Sequence, residues 1–170
     1  MANLFDIIVA DSGPLIALSK LGLLDLLLRC FRRVYIPQTV LMEVTEHRSH
    51  LDAENFLRFI AAYEGGYIQI APNVVNELTC ELGKLLDPGE TQAINLANSL
   101  DCPVLMDGRR RRMLAAKHGV SVFGLIGLLL RAKQTGYLPA VAPYLLKLKQ
   151  AGYYLSDRLV TQALRLAEED

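Results

Sequence analysis

Four carboxylates recur at comparable places along the 170-residue chain: Asp11, Glu43, Glu90 and Asp107. Asp11 and Asp107 each follow a short apolar run, Ile7-Ile8-Val9-Ala10 and Val104-Leu105-Met106, whereas Glu43 and Glu90 fall early in segments of helical periodicity. In an open parallel sheet the ligand crevice lies beyond the carboxyl ends of the strands, and all four acids would gather there. Acids sharing a crevice repel one another unless cations or protons share the space. Divalent metal chemistry is the simplest reason to collect them.

Each acid also has a purely structural reading. Asp11, ahead of Ser12-Gly13-Pro14, can cap a helix, and so can Asp107, between a strand and a helix. Their recurrence at two strand ends favours function. At about 100° per residue, Glu43 lies on the margin of an apolar arc made by Val40, Leu41 and Val44. A carboxylate there needs a donor, a cation or a proton, and an arginine would serve as well as a metal. Glu90 closes Asp87-Pro88-Gly89-Glu90, which fits a capping box. It also shares a helix face with Ala93, Ile94 and Ala97, which points it inward. These two readings of Glu90 stand level.

A run of arginines, Arg109 to Arg112, follows Asp107 directly. It opens a helix whose N-terminal dipole favours phosphate, and Arg109, Arg110 and Arg112 are the candidates for nucleic-acid contact. Consecutive residues wrap round a helix in steps of about 100°, so only some of the run can face one strand. A solvated basic patch is the rival reading.

The elements that must position these residues alternate. Strands are expected at residues 5–10, 34–36, 67–71, 103–106 and 120–123. Between them lie helices at 15–21 and 22–31, broken near Gly22, and a helix from Pro37 to about His47. Further helices follow at 51–64, 73–86, 87–100, 108–118 and 124–135. The 51–64 helix carries an apolar stripe of Phe56, Leu57, Ile60 and Ala61. Two amphipathic helices end the chain, about 141–150 and 156–168, the second with Ser156 as N-cap. Alternation of this kind gives right-handed crossovers and a parallel sheet covered on both faces, and the short, wholly apolar strands agree. The expected architecture is a three-layer α/β/α fold, residues 1–138, with a helical extension, 139–170, packed on the same domain.

Composition narrows the function classes. Lys plus Arg and Asp plus Glu both number 18, so a nucleic-acid binder of this kind would depend on local basic patches. Cys30, Cys80 and Cys102 are dispersed and odd in number, which argues against a disulfide scaffold and for a reducing compartment. Neither they nor His47, His50 and His118 have zinc-ligand spacing, and each cysteine reads as a small core hydrophobe. The apolar run 123–130 is too short to cross a bilayer before Arg131 and Lys133, and the N-terminus lacks a signal-peptide pattern. A cytoplasmic protein with no membrane association is expected.

From about Ile7 to Ala132 the chain resembles the PIN-domain family of small metal-dependent ribonucleases. The resemblance is carried by the opening Ile8-Val9-Ala10-Asp11-Ser12-Gly13-Pro14-Leu15, then Val34-Tyr35-Ile36-Pro37 with Val40 and Glu43. Gly89-Glu90 with Ala93, Ile94 and Ala97 follows, and Leu105-Met106-Asp107 and the helix around Gly127 to Lys133 complete it. It implies a five-stranded sheet of order 3-2-1-4-5, with strands one and four adjacent at the topological switch point. It also implies roles for Asp11, Glu43, Glu90 and Asp107 around Mg²⁺ or Mn²⁺, with Ser12 assisting by hydrogen bonding. Asp11 and Asp107 would ligate directly, and Glu43 and Glu90 would act through water or on the nucleophile. RNA is the implied substrate; an antitoxin protein and a second copy of the chain (a homodimer) are the implied partners.

Two positions depart from the pattern. Gly108 stands where one prokaryotic branch of the family, which the tail of the chain resembles, commonly has a second aspartate, and the third acid is glutamate, whereas aspartate is common across the wider family. Gly108 and the balanced charge favour a second reading, a PIN-like module that binds RNA or protein without cutting. A small-substrate phosphoryl-transfer enzyme is a third, with no Walker lysine loop or dinucleotide fingerprint to support it.

Overall fold

The computed structural model describes residues 6–46 and 53–169. Expectations that fall on Phe5, His47, His50, residues 51–52 and the side chain of Phe56 lie outside the described residues. The elements in chain order are β1 (Ile7–Ala10), α1 (Ser12–Lys20), α2 (Leu24–Cys30), β2 (Arg33–Pro37), α3 (Gln38–Glu46), α4 (Ala53–Glu64) and β3 (Ile68–Ala71). They continue as α5 (Glu77–Leu82), α6 (Pro88–Leu100), β4 (Val104–Leu105), α7 (Arg109–Lys117), β5 (Val122–Phe123), α8 (Leu125–Gln134), α9 (Ala142–Gln150) and α10 (Asp157–Leu166).

The five strands form one parallel sheet of order β3-β2-β1-β4-β5. Ile8, Val9, Val34, Ile36, Val104 and Leu105 are wholly buried, as strands covered on both faces must be. One buried cluster joins Ile8, Val34 and Ile36 to α1, α2, α3 and α8; a second joins Val9, Val104 and Met106 to Ile94 and Ala97 of α6 and Ala115 of α7. Each large aliphatic chain so buried contributes about 1.5–3 kcal/mol. Leu145 and Leu148 of α9 and Ala163 of α10 belong to the first cluster, so the C-terminal helices share the core of the sheet. Arg131 of α8 lies over the rings of Phe31 and Phe123, 4.9 and 5.8 Å from their centroids.

Three local expectations change. Helix is absent from 73–76, because Asn76 caps α5 through a box with Thr79 while Val74 is held outside by the Gln92 side chain, and from 83–86, which form turns between α5 and α6. The buried face of α4 is Phe59 and Ala62, whereas Leu57 is 64% exposed and Ala61 is exposed. Apolar residues cover so much of that helix that periodicity alone did not fix its rotation. Cys30 and Cys102 are buried, but Cys80 is exposed and is no core residue. The break at Gly22 is present, with φ +67°, and Ser156 does cap α10, accepting from the Leu159 amide.

Candidate active site

Register brings the first and fourth acids together. Val9 pairs with Val104 and Ala10 with Leu105, and the Asp11 N–H donates to the Leu105 carbonyl at 3.0 Å. Asp11 and Asp107 therefore leave neighbouring strand ends at the switch point, where parallel sheets hold their ligands. Helix α3 follows β2 without a break and packs on α6. That contact presses the Glu43 carboxylate so closely on Gly89 that a Cβ there would collide with it.

Asp11 is 4% exposed. It occupies the N-cap position of α1 without making a side-chain cap bond, and its Oδ1 is buried with no hydrogen-bond partner among the described residues. Burial raises its pKa from 3.8 to about 7. The Ser12 amide opposes the rise, and the charges of Glu90, Asp87 and Glu43 add to it. Ser12 itself is half-buried in the first turn of α1.

Asp107 does not cap the helix that follows it; Gly108, at φ +90°, takes that position. Its Oδ1 accepts instead from the Leu125 amide, 3.1 Å, at the start of α8, and its Oδ2 accepts from the Tyr153 hydroxyl, 3.0 Å. Gly124 makes room for this: a Cβ there would stand 3.2 Å from Asp107 Oδ1 and 3.5 Å from Arg112 Nη1. Arg112 thus reaches the acid crevice, while Arg109 and Arg110 are exposed at the start of α7.

Glu90 fulfils both of its readings at once. It closes the capping box with Asp87, and it is buried, 6% exposed, beside Ala93 and Ile94. Its Oε2 accepts from the Asp87 amide at 3.2 Å, and its Oε1 pairs with Nε of Arg111. Burial raises its pKa from 4.5, against the lowering effects of the Asp87 amide and Arg111.

The candidate acids were legible in the sequence, but two of their partners were not. Tyr153 lies in the turn between α9 and α10, remote in sequence from every acid, and no local pattern marks it. Its pKa is raised by burial and by the adjacent Asp107 charge. Arg111 belonged to a recognised basic run, yet it was not the member selected, because the rotation of α7 decides which arginine turns inward.

Residues 7–169 match the DUF3368 family, described as a PIN domain. The chain belongs to the PIN-domain family. The matched residues include those of α9 and α10. Among solved structures the chain is similar to a PilT N-terminus domain protein from the hyperthermophilic archaeon Sulfolobus solfataricus P2. The identity is 15%, the alignment covers 72% of this chain and 89% of that one, and the TM-score is 0.46. No curated protein matches. PIN domains are typically nucleases, and no described helix is long and apolar enough to cross a membrane.

The donors suit a hard divalent cation in part. Asp11 offers a buried oxygen that lacks a partner, in a crevice whose acids oppose its ionisation, and carboxylates are the ligands Mg²⁺ and Mn²⁺ prefer. Among the described residues, however, no three His, Cys, Asp or Glu side chains are placed to hold one ion together. Glu90 is already paired with a cation, Arg111, through one oxygen and takes the Asp87 amide on the other.

Proposed function

We propose that this PIN domain is a metal-dependent endoribonuclease that hydrolyses RNA phosphodiester bonds. One observation carries the reading: the unpartnered Oδ1 of Asp11, whose burial, with the charges of Glu90, Asp87 and Glu43 adding to it, raises the carboxyl pKa to about 7. A buried carboxyl without a donor is costly, and a cation at this position would let it ionise.

Asp11 and Asp107 would hold the ion, with Glu43 beside them on α3. Bound Mg²⁺ or Mn²⁺ supplies a water of lowered pKa and offsets charge on the phosphoryl oxygens. Tyr153 and the Leu125 amide fix the Asp107 carboxylate, and each of its oxygens keeps a lone pair for further coordination. Arg112, next to Asp107 over Gly124, supplies positive charge to an otherwise acidic crevice. The exposed Arg109 and Arg110 extend that charge outward, along the path RNA would take.

The test is cleavage of a labelled single-stranded RNA during Mn²⁺ titration. The expected result is metal-dependent product from the wild type and none from Asp11→Asn or Asp107→Asn, both with unchanged circular dichroism. Cleavage retained by both variants, or cleavage indifferent to EDTA, would count against the assignment. The partnered state of Glu90 and the lack, among the described residues, of a three-acid ligand set favour the second reading, a non-cleaving RNA- or protein-binding module. That reading requires no product and no Mn²⁺ uptake from the wild type. The proposal includes two partners drawn from the family likeness, an antitoxin covering the crevice and a second copy of the chain. Native mass spectrometry, with and without the product of the neighbouring gene, tests both.

A further inference from the structure

Glu90 has both carboxylate oxygens engaged, one of them by a cation. Its Oε2 takes the Asp87 amide, its Oε1 takes Nε of Arg111, and it is nearly inaccessible to solvent. Arg111 is built differently: 46% of its side chain is exposed. Gly108, at φ +90°, lets the arginine fold back over the backbone beside Asp107. A Cβ at Gly108 would meet Arg111 Cδ and Nη1, both at 3.3 Å. The guanidinium therefore lies within the acid crevice, anchored through one nitrogen, and its charge is felt by the Tyr153 phenol on the far side.

A guanidinium presents five N–H donors in a planar fork. Fixing Nε on a buried carboxylate leaves the edge formed by the two terminal nitrogens for another oxyanion, with much of the side chain's rotational freedom already removed. That edge suits two oxygens of a phosphodiester. An exposed lysine or a freely moving arginine would bring the same charge without the orientation.

We propose that Glu90 is a positioning residue for Arg111, not a metal ligand, and that Arg111 binds a backbone phosphate of single-stranded RNA in the crevice. The identity of the ligand rests on the nuclease reading above; the division of labour between Glu90 and Arg111 does not. Asp11 and Asp107 are then the carboxylates assigned to a cation. The phosphate would lie next to Asp107, with the guanidinium on the side facing α6.

The experiment measures two things on the full chain. Affinity for a short fluorescein-labelled single-stranded RNA is followed by anisotropy in EDTA over a range of salt, and Mn²⁺ affinity is followed by electron paramagnetic resonance. Arg111→Ala should weaken RNA binding about tenfold, as expected for one lost charge-assisted contact. It should also flatten the slope of log affinity against log salt by about 0.7, with Arg111→Lys restoring the slope and only part of the affinity. Glu90→Gln should weaken RNA binding by a smaller factor and leave Mn²⁺ affinity within about twofold.

An unchanged salt slope in Arg111→Ala, or no RNA binding by the wild type, overturns the proposal. So does a tenfold loss of Mn²⁺ affinity in Glu90→Gln, the effect of a deleted ligand. Arg111 is half-exposed, so its variants decide the matter even where Glu90→Gln fails to fold. A wild type that binds RNA through Arg111 but takes up no Mn²⁺ and cuts nothing overturns the nuclease reading and keeps this one. Metal-dependent cutting with an unaltered Arg111→Ala slope does the reverse.

Discussion

Folding strips the Asp11 carboxyl of water and gives its Oδ1 no donor in return, which pushes its pKa up. Its folded pKa, about 7, lies above the ordinary 3.8, so the folded chain holds this proton more tightly than the unfolded one. By linkage the associated stability is complete below pH 3.8 and is lost as pH rises through about 7. Each unit of such a shift is about 1.4 kcal/mol. Asp11→Asn, which cannot ionise, should therefore raise the melting temperature by roughly 10 °C at pH 8 and leave it little changed near pH 4. Saturating Mn²⁺ should stabilise the wild type at pH 8 and not the variant, since only an ionised carboxylate can take the ion. Calorimetry at the two pH values checks both statements. Equal melting temperatures at pH 8 would mean that Asp11 has a donor or more water than its burial indicates. The same residue shows what a sequence can reveal about a site. The type and place of Asp11 are local facts, readable from an acid after an apolar run. Its isolation from donors depends on every element around it, and no local pattern carries that.

The elements show the same division. Strand and helix order, the break at Gly22 and the caps at Asp87 and Ser156 follow from residues within a few positions of one another. The rotation of a helix about its axis does not. Helix α4 turned Phe59 and Ala62 inward in place of Leu57 and Ala61, and α7 turned Arg111 towards Glu90. In both helices similar residues surround the axis, so composition could not choose a face; packing partners did. Where one residue dominates a face the reading held, as with Val40 and Val44 of α3, which left Glu43 on the margin. The contact between α3 and α6 then provides a test at this scale. Gly89 stands in the first turn of α6, where alanine would ordinarily gain up to about 1 kcal/mol of helix propensity. Its Cα, however, faces the Glu43 carboxylate with no space for a methyl group. Gly89→Ala should displace Glu43 and fail to stabilise the chain. It should also weaken Mn²⁺ binding and cleavage severalfold while Asp11 and Asp107 remain in place. A variant that melts higher and binds Mn²⁺ normally would show that Glu43 moves aside freely and has no part in the site.

Across the whole molecule, hydrogen bonds tie the last described turn to α8 and α9, and the turn after α9 to the acid crevice. Lys133 of α8 donates to the carbonyl of Ala167 and, at 2.7 Å, to Glu169 Oε1. Glu169 in turn accepts from the amides of Val141 and Ala142, 2.7 and 2.8 Å, where α9 begins. This latch holds α9 against α8. The turn after α9 carries Tyr153, whose hydroxyl reaches Asp107. A residue at the C-terminal end of the sequence is thereby connected to an acid at the end of β4, a connection that only the folded path of the chain creates. We propose that residues 139–170 are an extension of one domain in this functional sense as well as in packing. Burial acts to raise the Glu169 pKa, but the bonds from Lys133, Val141 and Ala142 outweigh it and bring the value from 4.5 down to about 2. A lowered acid stabilises the fold above its unfolded pKa, and that contribution is lost as pH falls through the folded value. Glu169→Gln should therefore melt below the wild type at pH 7, and the gap should narrow as pH falls from 4.5 towards 2. The variant should also bind Mn²⁺ more weakly, because a loosened α9 no longer holds Tyr153 on Asp107. Tyr153→Phe keeps the latch and loses only the hydroxyl. It should reproduce the weaker metal binding, by about tenfold as for other residues that orient a metal ligand, without the pH-dependent loss of stability. If Glu169→Gln lowers the melting temperature while Mn²⁺ affinity stays at the wild-type value in both variants, the latch braces the fold alone and the crevice is independent of it.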